Sequence, residues 1–172
     1  MATKKVVKVI PLSEVTDEEF APYGQIMGRV RAEPSNIRKH QHYWANNVDL
    51  GAVLDKVDCG LLITNTNGRD IKYFERHSRI SENFVPTEGE SIFVMAPPNN
   101  SKETPDPSEI VAFYLDGTLG VALNIGTWHW PPIPLGKEAK FVLLRKGEID
   151  DKTEMSYLED FGLDKIVLSF GD

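Results

Sequence analysis

The chain has 172 residues, is 41% hydrophobic and 26% charged, and carries a formal net charge of −7 at pH 7. That length suits a single domain, residues 1–172, with a sizeable core. The acidic balance argues against a nucleic-acid backbone or an anionic membrane surface as the main partner. The one cysteine, Cys59, cannot form an internal disulfide, which fits a reducing, cytoplasmic setting. It falls in the apolar stretch Val57 to Ile63 and reads as a small buried hydrophobe. Lys4 and Lys5 lead into Val6 to Leu12, but Lys8 and Pro11 interrupt that run, so it reads as neither signal peptide nor membrane span.

Along the chain, the β-branched run Val6 to Ile10 reads as an opening strand. Thr16 followed three residues later by Glu19 is a capping box, and Pro22 and Gly24 stop the helix it starts. Strand signals then dominate: Tyr23 to Val30, His42 to Asn46, Asp58 to Asn65, Ile71 to His77, Glu90 to Ala96, Ile110 to Leu115, Leu119 to Ile125 and Phe141 to Arg145. Turn chemistry separates them at Asn67-Gly68, Glu88-Gly89, Asp116-Gly117 and Gly136. Pro97 to Ser108 reads as a long exposed loop. A second short helix is expected near Thr153 to Phe161, and a last strand at Lys165 to Phe170. Many short strands with few helical patterns argue an all-β sandwich or closed barrel rather than βαβ units.

There are four histidines: His40, His42, His77 and His129. Glu75 and His77 are two apart, so on a strand they share a face with Tyr73, while Arg76 points the other way and reads as a salt-bridge or interface residue. Glu82 follows after a turn, in register to sit on the next strand with Phe84. This segment resembles the first cupin motif, with Glu75 where that motif has its first histidine. Asn124-x-Gly126-x-x-His129 resembles the second cupin motif, with Asn124 in place of proline. Imidazoles and carboxylates converging on one point can hold a divalent metal with positions left open for a substrate. Without metal the same groups form an acid–base pair. Each segment alone also reads as ordinary structure: Glu75-Arg76-His77 as a solvated strand face, and His129, between Trp128 and Trp130, as a packed histidine. His40-Gln41-His42 has no acidic partner nearby and reads as an exposed loop or a lid entering a strand. Tyr43, Trp44 and Phe74 read as core rather than as a dimer interface.

At these residues the chain resembles the ureidoglycolate lyase family, formerly called ureidoglycolate hydrolase. The resemblance runs from about Pro11 to Lys146. It rests on Phe20-Ala21-Pro22-Tyr23-Gly24-Gln25, on Glu75-Arg76-His77, on Phe84-Val85-Pro86 with Gly89, and on Phe93 to Pro97. Its most specific stretch is Phe113 through Asp116-Gly117, Gly120-Val121 and Gly126-Thr127-Trp128-His129, with Pro131 beyond. The resemblance implies an all-β, cupin-type double-stranded barrel (jelly roll) with one or two short helices, usually a homodimer. The implied reaction splits ureidoglycolate, or a similar small hydroxy acid, into glyoxylate and urea during allantoin breakdown. By position, Glu75, His77 and His129 would be catalytic, with Glu75 the base. Tyr73, Asn124 and Trp128 would contact substrate, and His77, Glu82 and His129 would hold one divalent metal ion of unspecified identity. The sequence departs from the family pattern at Glu82, Ala122, Asn124, Trp130 and Arg145. Those departures keep two alternatives open: another metal-dependent cupin, an isomerase or dioxygenase acting on a small carboxylate, and a non-catalytic ligand-binding barrel.

Overall fold

The computed structural model describes residues 3–30, 33–38, 41–43, 48–50, 57–99, 103–146 and 153–170. Strand β1 (Lys4–Pro11) leads through a single 3-10 turn to α1 (Asp17–Phe20). The expected capping box is present in full: Glu19 N–H donates to Thr16 Oγ1 at 3.1 Å, and Thr16 N–H donates to Glu19 Oε2 at 2.8 Å. The remaining strands are β2 (Gly24–Met27), β3 (Asn36–Arg38), β4 (Gln41–Tyr43), β5 (Val57–Asn65), β6 (Tyr73–His77), β7 (Glu82–Glu88), β8 (Ser91–Ala96), β9 (Val111–Leu115), β10 (Gly120–Leu123), β11 (Trp128–Pro134), β12 (Glu138–Lys146), β13 (Thr153–Tyr157) and β14 (Lys165–Ser169).

Among the described residues these form a seven-stranded sheet in the order β13-β6-β11-β8-β9-β1-β14 and a five-stranded sheet in the order β2-β10-β7-β12-β5. Strands β3 and β4 pair as a separate ribbon. Most neighbours are antiparallel; β1 runs parallel to both β9 and β14. An apolar cluster lies between the two larger sheets: Phe93, Met95 and Phe113 from the large sheet, Phe84, Val121, Leu123 and Phe141 from the small one, and Phe20 from α1. The opposite face of the large sheet packs Val94, Trp128, Trp130 and Phe74 against Leu158 and Leu163 of the C-terminal segment. Strand β8 is therefore buried along its whole length, and the two sheets curl around the shared cluster as a cupin-like β-barrel. Gly89, in the turn between β7 and β8, has φ +83°, and a Cβ there would lie 2.7 Å from the Glu138 carbonyl oxygen, so glycine is required.

Two expectations are corrected, and one strand is added. Thr153 to Tyr157 is a strand, not a helix, because it pairs residue for residue with His77 to Tyr73 of β6; only Leu158–Phe161 forms a 3-10 turn. That pairing makes β6 an internal strand. The strand β11 was hidden by Pro131 and Pro132, which coincide with a register irregularity between Trp130 and Ile133. Cys59 is exposed, not buried, because β5 turns alternate residues outward. Phe74 is fully buried, as a core residue should be. His40 and Trp44 lie outside the described residues. His42 and Tyr43 lie on β4, as the expected strand start requires.

Candidate active site

Four side chains meet at one end of the space between the sheets. Glu75 and His77 come from β6, Glu82 from β7 and His129 from β11. The strand period of two brings Glu75 and His77 to the inner face, while Arg76 leaves the outer face. There Arg76 donates through Nε to Glu154 Oε2 at 2.8 Å and through Nη1 to the Asn99 carbonyl at 3.0 Å, with its guanidinium 4.4 Å from the centroid of the Trp128 ring.

Glu82 Oε2 sits 3.3 Å from His77 Nε2 and 3.4 Å from His129 Nε2, and Glu75 Oε1 lies 3.8 Å from His129 Nε2. Ligand atoms of Glu75, His77 and His129 all fall within 4.8 Å of one another. His129 is 2% exposed, with its ring set between the edges of Phe84 and Phe93. Its Nδ1 lies 3.0 Å from the Thr127 carbonyl oxygen. A carbonyl only accepts, so Nδ1 carries the proton, and Nε2 is the nitrogen turned into the cluster. On the other imidazole, Thr153 Oγ1 is 3.5 Å from His77 Nδ1.

Burial is the largest single influence on Glu82 and pushes its carboxyl pKa up. Hydrogen bonds and positive charge from His129 and His77 outweigh it, and hold the group well below the usual carboxylate range. The loop before β11 is tied to the same place: Gly126 N–H donates to the His77 carbonyl at 2.9 Å, and Thr127 Oγ1 to the Tyr23 carbonyl at 2.9 Å. His77, Glu82, Asn124, Thr127 and His129, among others, line a narrow recess here.

The structure thus brings together Glu75, His77, Glu82 and His129. Asn124 is at the recess, but its amide donates to the Ala21 and Pro22 carbonyls at 3.0 and 3.3 Å, so it anchors the loop. Trp128 is not in the cluster: it alternates with His129 on β11 and is buried on the far face beneath Arg76. Tyr73 packs edge-on against Trp130 and Tyr157, and burial together with the nearby Glu75 carboxylate pushes its phenol pKa up. The partners Thr127 and Thr153 escaped the sequence reading. Thr127 acts through a main-chain carbonyl, which no residue type signals, and Thr153 lay in the supposed helix.

The donor set suits a divalent cation. The Glu82–imidazole gaps are wider than the 2.7–2.9 Å typical of a charge-assisted N–H···O⁻ bond. They match the roughly 3.4 Å between two ligands of one ion with bonds of about 2.1 Å. Two carboxylates facing two imidazoles are balanced by two protons or by one divalent ion.

Fold and cluster together define a cupin-like β-barrel with a histidine–carboxylate pocket of the metal-binding or acid–base kind. Sequence comparison gives the family. The ureidoglycolate lyase family profile matches residues 7–165, and the chain belongs to that lyase family. It is similar to the ureidoglycolate lyase of Burkholderia mallei (strain NCTC 10229), 30% identical over 152 residues that cover 82% of this chain and 84% of that one. The ureidoglycolate lyase of Stutzerimonas stutzeri (strain A1501) is 24% identical over 160 residues, covering 90% and 93%. Ureidoglycolate lyase 2 of Rhizobium meliloti (strain 1021) is 26% identical over 159 residues, covering 87% and 93%.

Proposed function

We propose that this chain is a ureidoglycolate lyase, splitting ureidoglycolate into glyoxylate and urea. The observation that carries this reading is the convergence of Glu75, His77, Glu82 and His129 in a barrel of this family. His77, Glu82 and His129 would hold one divalent ion, which when bound would polarise the substrate's hydroxyl oxygen. Glu75 is the most accessible of the four, with its side chain 23% exposed, and it serves as the base. It takes the hydroxyl proton, the C–O bond becomes a carbonyl as the C–N bond breaks, and the departing urea nitrogen receives that proton back. The reaction is proton-neutral, so one carboxylate suffices for both transfers.

The reading includes a cytoplasmic homodimer formed from the single domain 1–172. A lone cysteine suits a reducing compartment. No helix among the described residues is long and apolar enough to cross a membrane. The dimer is supported by the outer face of β5, where Val57, Leu61 and Ile63 are 55%, 67% and 48% exposed beside half-buried Val142 and Leu144 of β12.

The deciding experiment pairs metal content of untagged protein with urea release from racemic ureidoglycolate. The expected result is urea formation by the native chain, lost in Glu75→Ala and His129→Ala. Stoichiometric metal with no urea release would overturn the assignment.

A further inference from the structure

Glu82 on β7, Arg145 on β12 and Asp58 on β5 are cross-strand partners, so their side chains leave the same face of the small sheet. The neighbouring row fixes which face that is. Phe84, Leu143 and Gly60 are partners in the same register, and Phe84 and Leu143 pack into the cluster between the sheets. Two residues along each strand is a step of roughly 6.6–6.8 Å. Arg145 therefore emerges at the same open end as Glu82, one strand away.

Its position there is set by Asp58: Arg145 Nε donates to Asp58 Oδ2 at 3.0 Å. The two side chains are 42% and 46% exposed, which puts the pair at the rim rather than in the core. Among the described residues, no protein acceptor engages the Nη groups of Arg145. A guanidinium tethered through Nε still presents a planar pair of Nη donors, the geometry that matches a carboxylate bidentately. The electrostatics call for such a group. The chain carries a net charge of −7, and Glu75 and Glu82 add two carboxylates at the pocket itself. An anionic ligand needs an offsetting cation near its path.

We propose that Arg145, held by Asp58, is an anion subsite at the mouth of the barrel that takes the carboxylate of a small carboxylic acid. The subsite leaves the rest of the molecule directed at the imidazole–carboxylate cluster. For the identity of the acid it rests on the lyase reading above; for the existence of the subsite it does not. Arg145 positions and selects, and it takes no proton in the reaction.

The test uses the full-length, metal-loaded protein with Arg145→Gln, Arg145→Lys and Asp58→Asn, each checked by thermal melting. In Arg145→Gln the KM for ureidoglycolate should rise about tenfold or more, the loss expected for a charged hydrogen-bonding partner, while kcat stays within about threefold. Arg145→Lys keeps the charge without the fork and should recover part of the loss. Asp58→Asn keeps the guanidinium but frees it, and should raise KM less than Arg145→Gln does; these two variants decide the matter if Arg145→Gln does not fold. Calorimetric titration with glyoxylate gives a readout independent of turnover, with affinity weakened about tenfold in Arg145→Gln. Unchanged KM and unchanged glyoxylate affinity in that variant overturn the subsite, whatever the native activity. A native chain that releases no urea overturns the lyase reading alone, and weaker glyoxylate binding in Arg145→Gln then still supports the subsite.

Discussion

The space between the two sheets has a floor and a mouth, built from the same strands. On β7, Phe84 belongs to the aromatic floor and Glu82, two residues away, to the cluster of imidazoles. On β12 the inner face runs from Phe141 through Leu143 to Arg145. The floor is closed by ring-on-ring contacts, such as Phe84 with Phe93 at 4.9 Å and Phe20 with Phe113 at 5.2 Å. The mouth is held by charge and hydrogen bonds. Folding free energy comes from burying the floor, whereas the mouth gathers like charges that burial disfavours. The contrast shows how a strand can carry stability and chemistry on one face, a single pleat apart. His129 sits at the border, its ring among the floor's phenylalanines and its Nε2 in the mouth.

Substitutions on either side of that border separate the two roles. Glu75→Gln should lower kcat for urea release by about 10²–10⁴, the usual worth of a general base, and leave the melting temperature nearly unchanged. Phe141→Ala should do the reverse: denaturant titration should show a loss of about 3–5 kcal/mol, with the rate per folded molecule close to native. If Phe141→Ala abolished turnover without loss of stability, floor and mouth would not be separable.

Acid titration sharpens the comparison within the mouth. The Glu82 carboxyl is held below its ordinary value of 4.5 in the folded protein, so over that range the unfolded chain binds more protons. Its contribution to stability is complete above about pH 4.5 and is lost as the pH falls toward the folded value. Metal-free Glu82→Gln should therefore show a shallower fall of melting temperature below that pH than native protein. The smallest expected effect on activity lies outside the barrel. Leu61→Lys, placed in the apolar stripe of β5, should convert the proposed dimer to monomer in light scattering while changing the rate per chain by less than about twofold.

Much of this was legible in the sequence, for identifiable reasons. The capping box at Thr16 and Glu19 is a local code, and the structure has it in full. Glu75 and His77 sharing a face follows from a period of two, and the shared face is real. What the sequence hid depends on distant pairing. Strand β13 exists because β6 offers it an edge, overriding a pattern that reads as helix. Prolines in β11 spoke against a strand that tolerates them at an irregularity. Trp128, beside a motif histidine in sequence, belongs to packing on the outer face. The meeting of Arg145 with Asp58 spans 87 positions and leaves no periodic trace.

Strands β6 and β11 are joined in register at one pair, and that pair is Glu75 opposite His129. The seam of the large sheet and the chemical centre are thus the same place. Any ligand gripped by both residues acts as a rivet across the seam, fastening β6 and its outer neighbour β13 to the rest of the barrel. Filling the pocket would therefore steady the sheet at the same pair that forms the site.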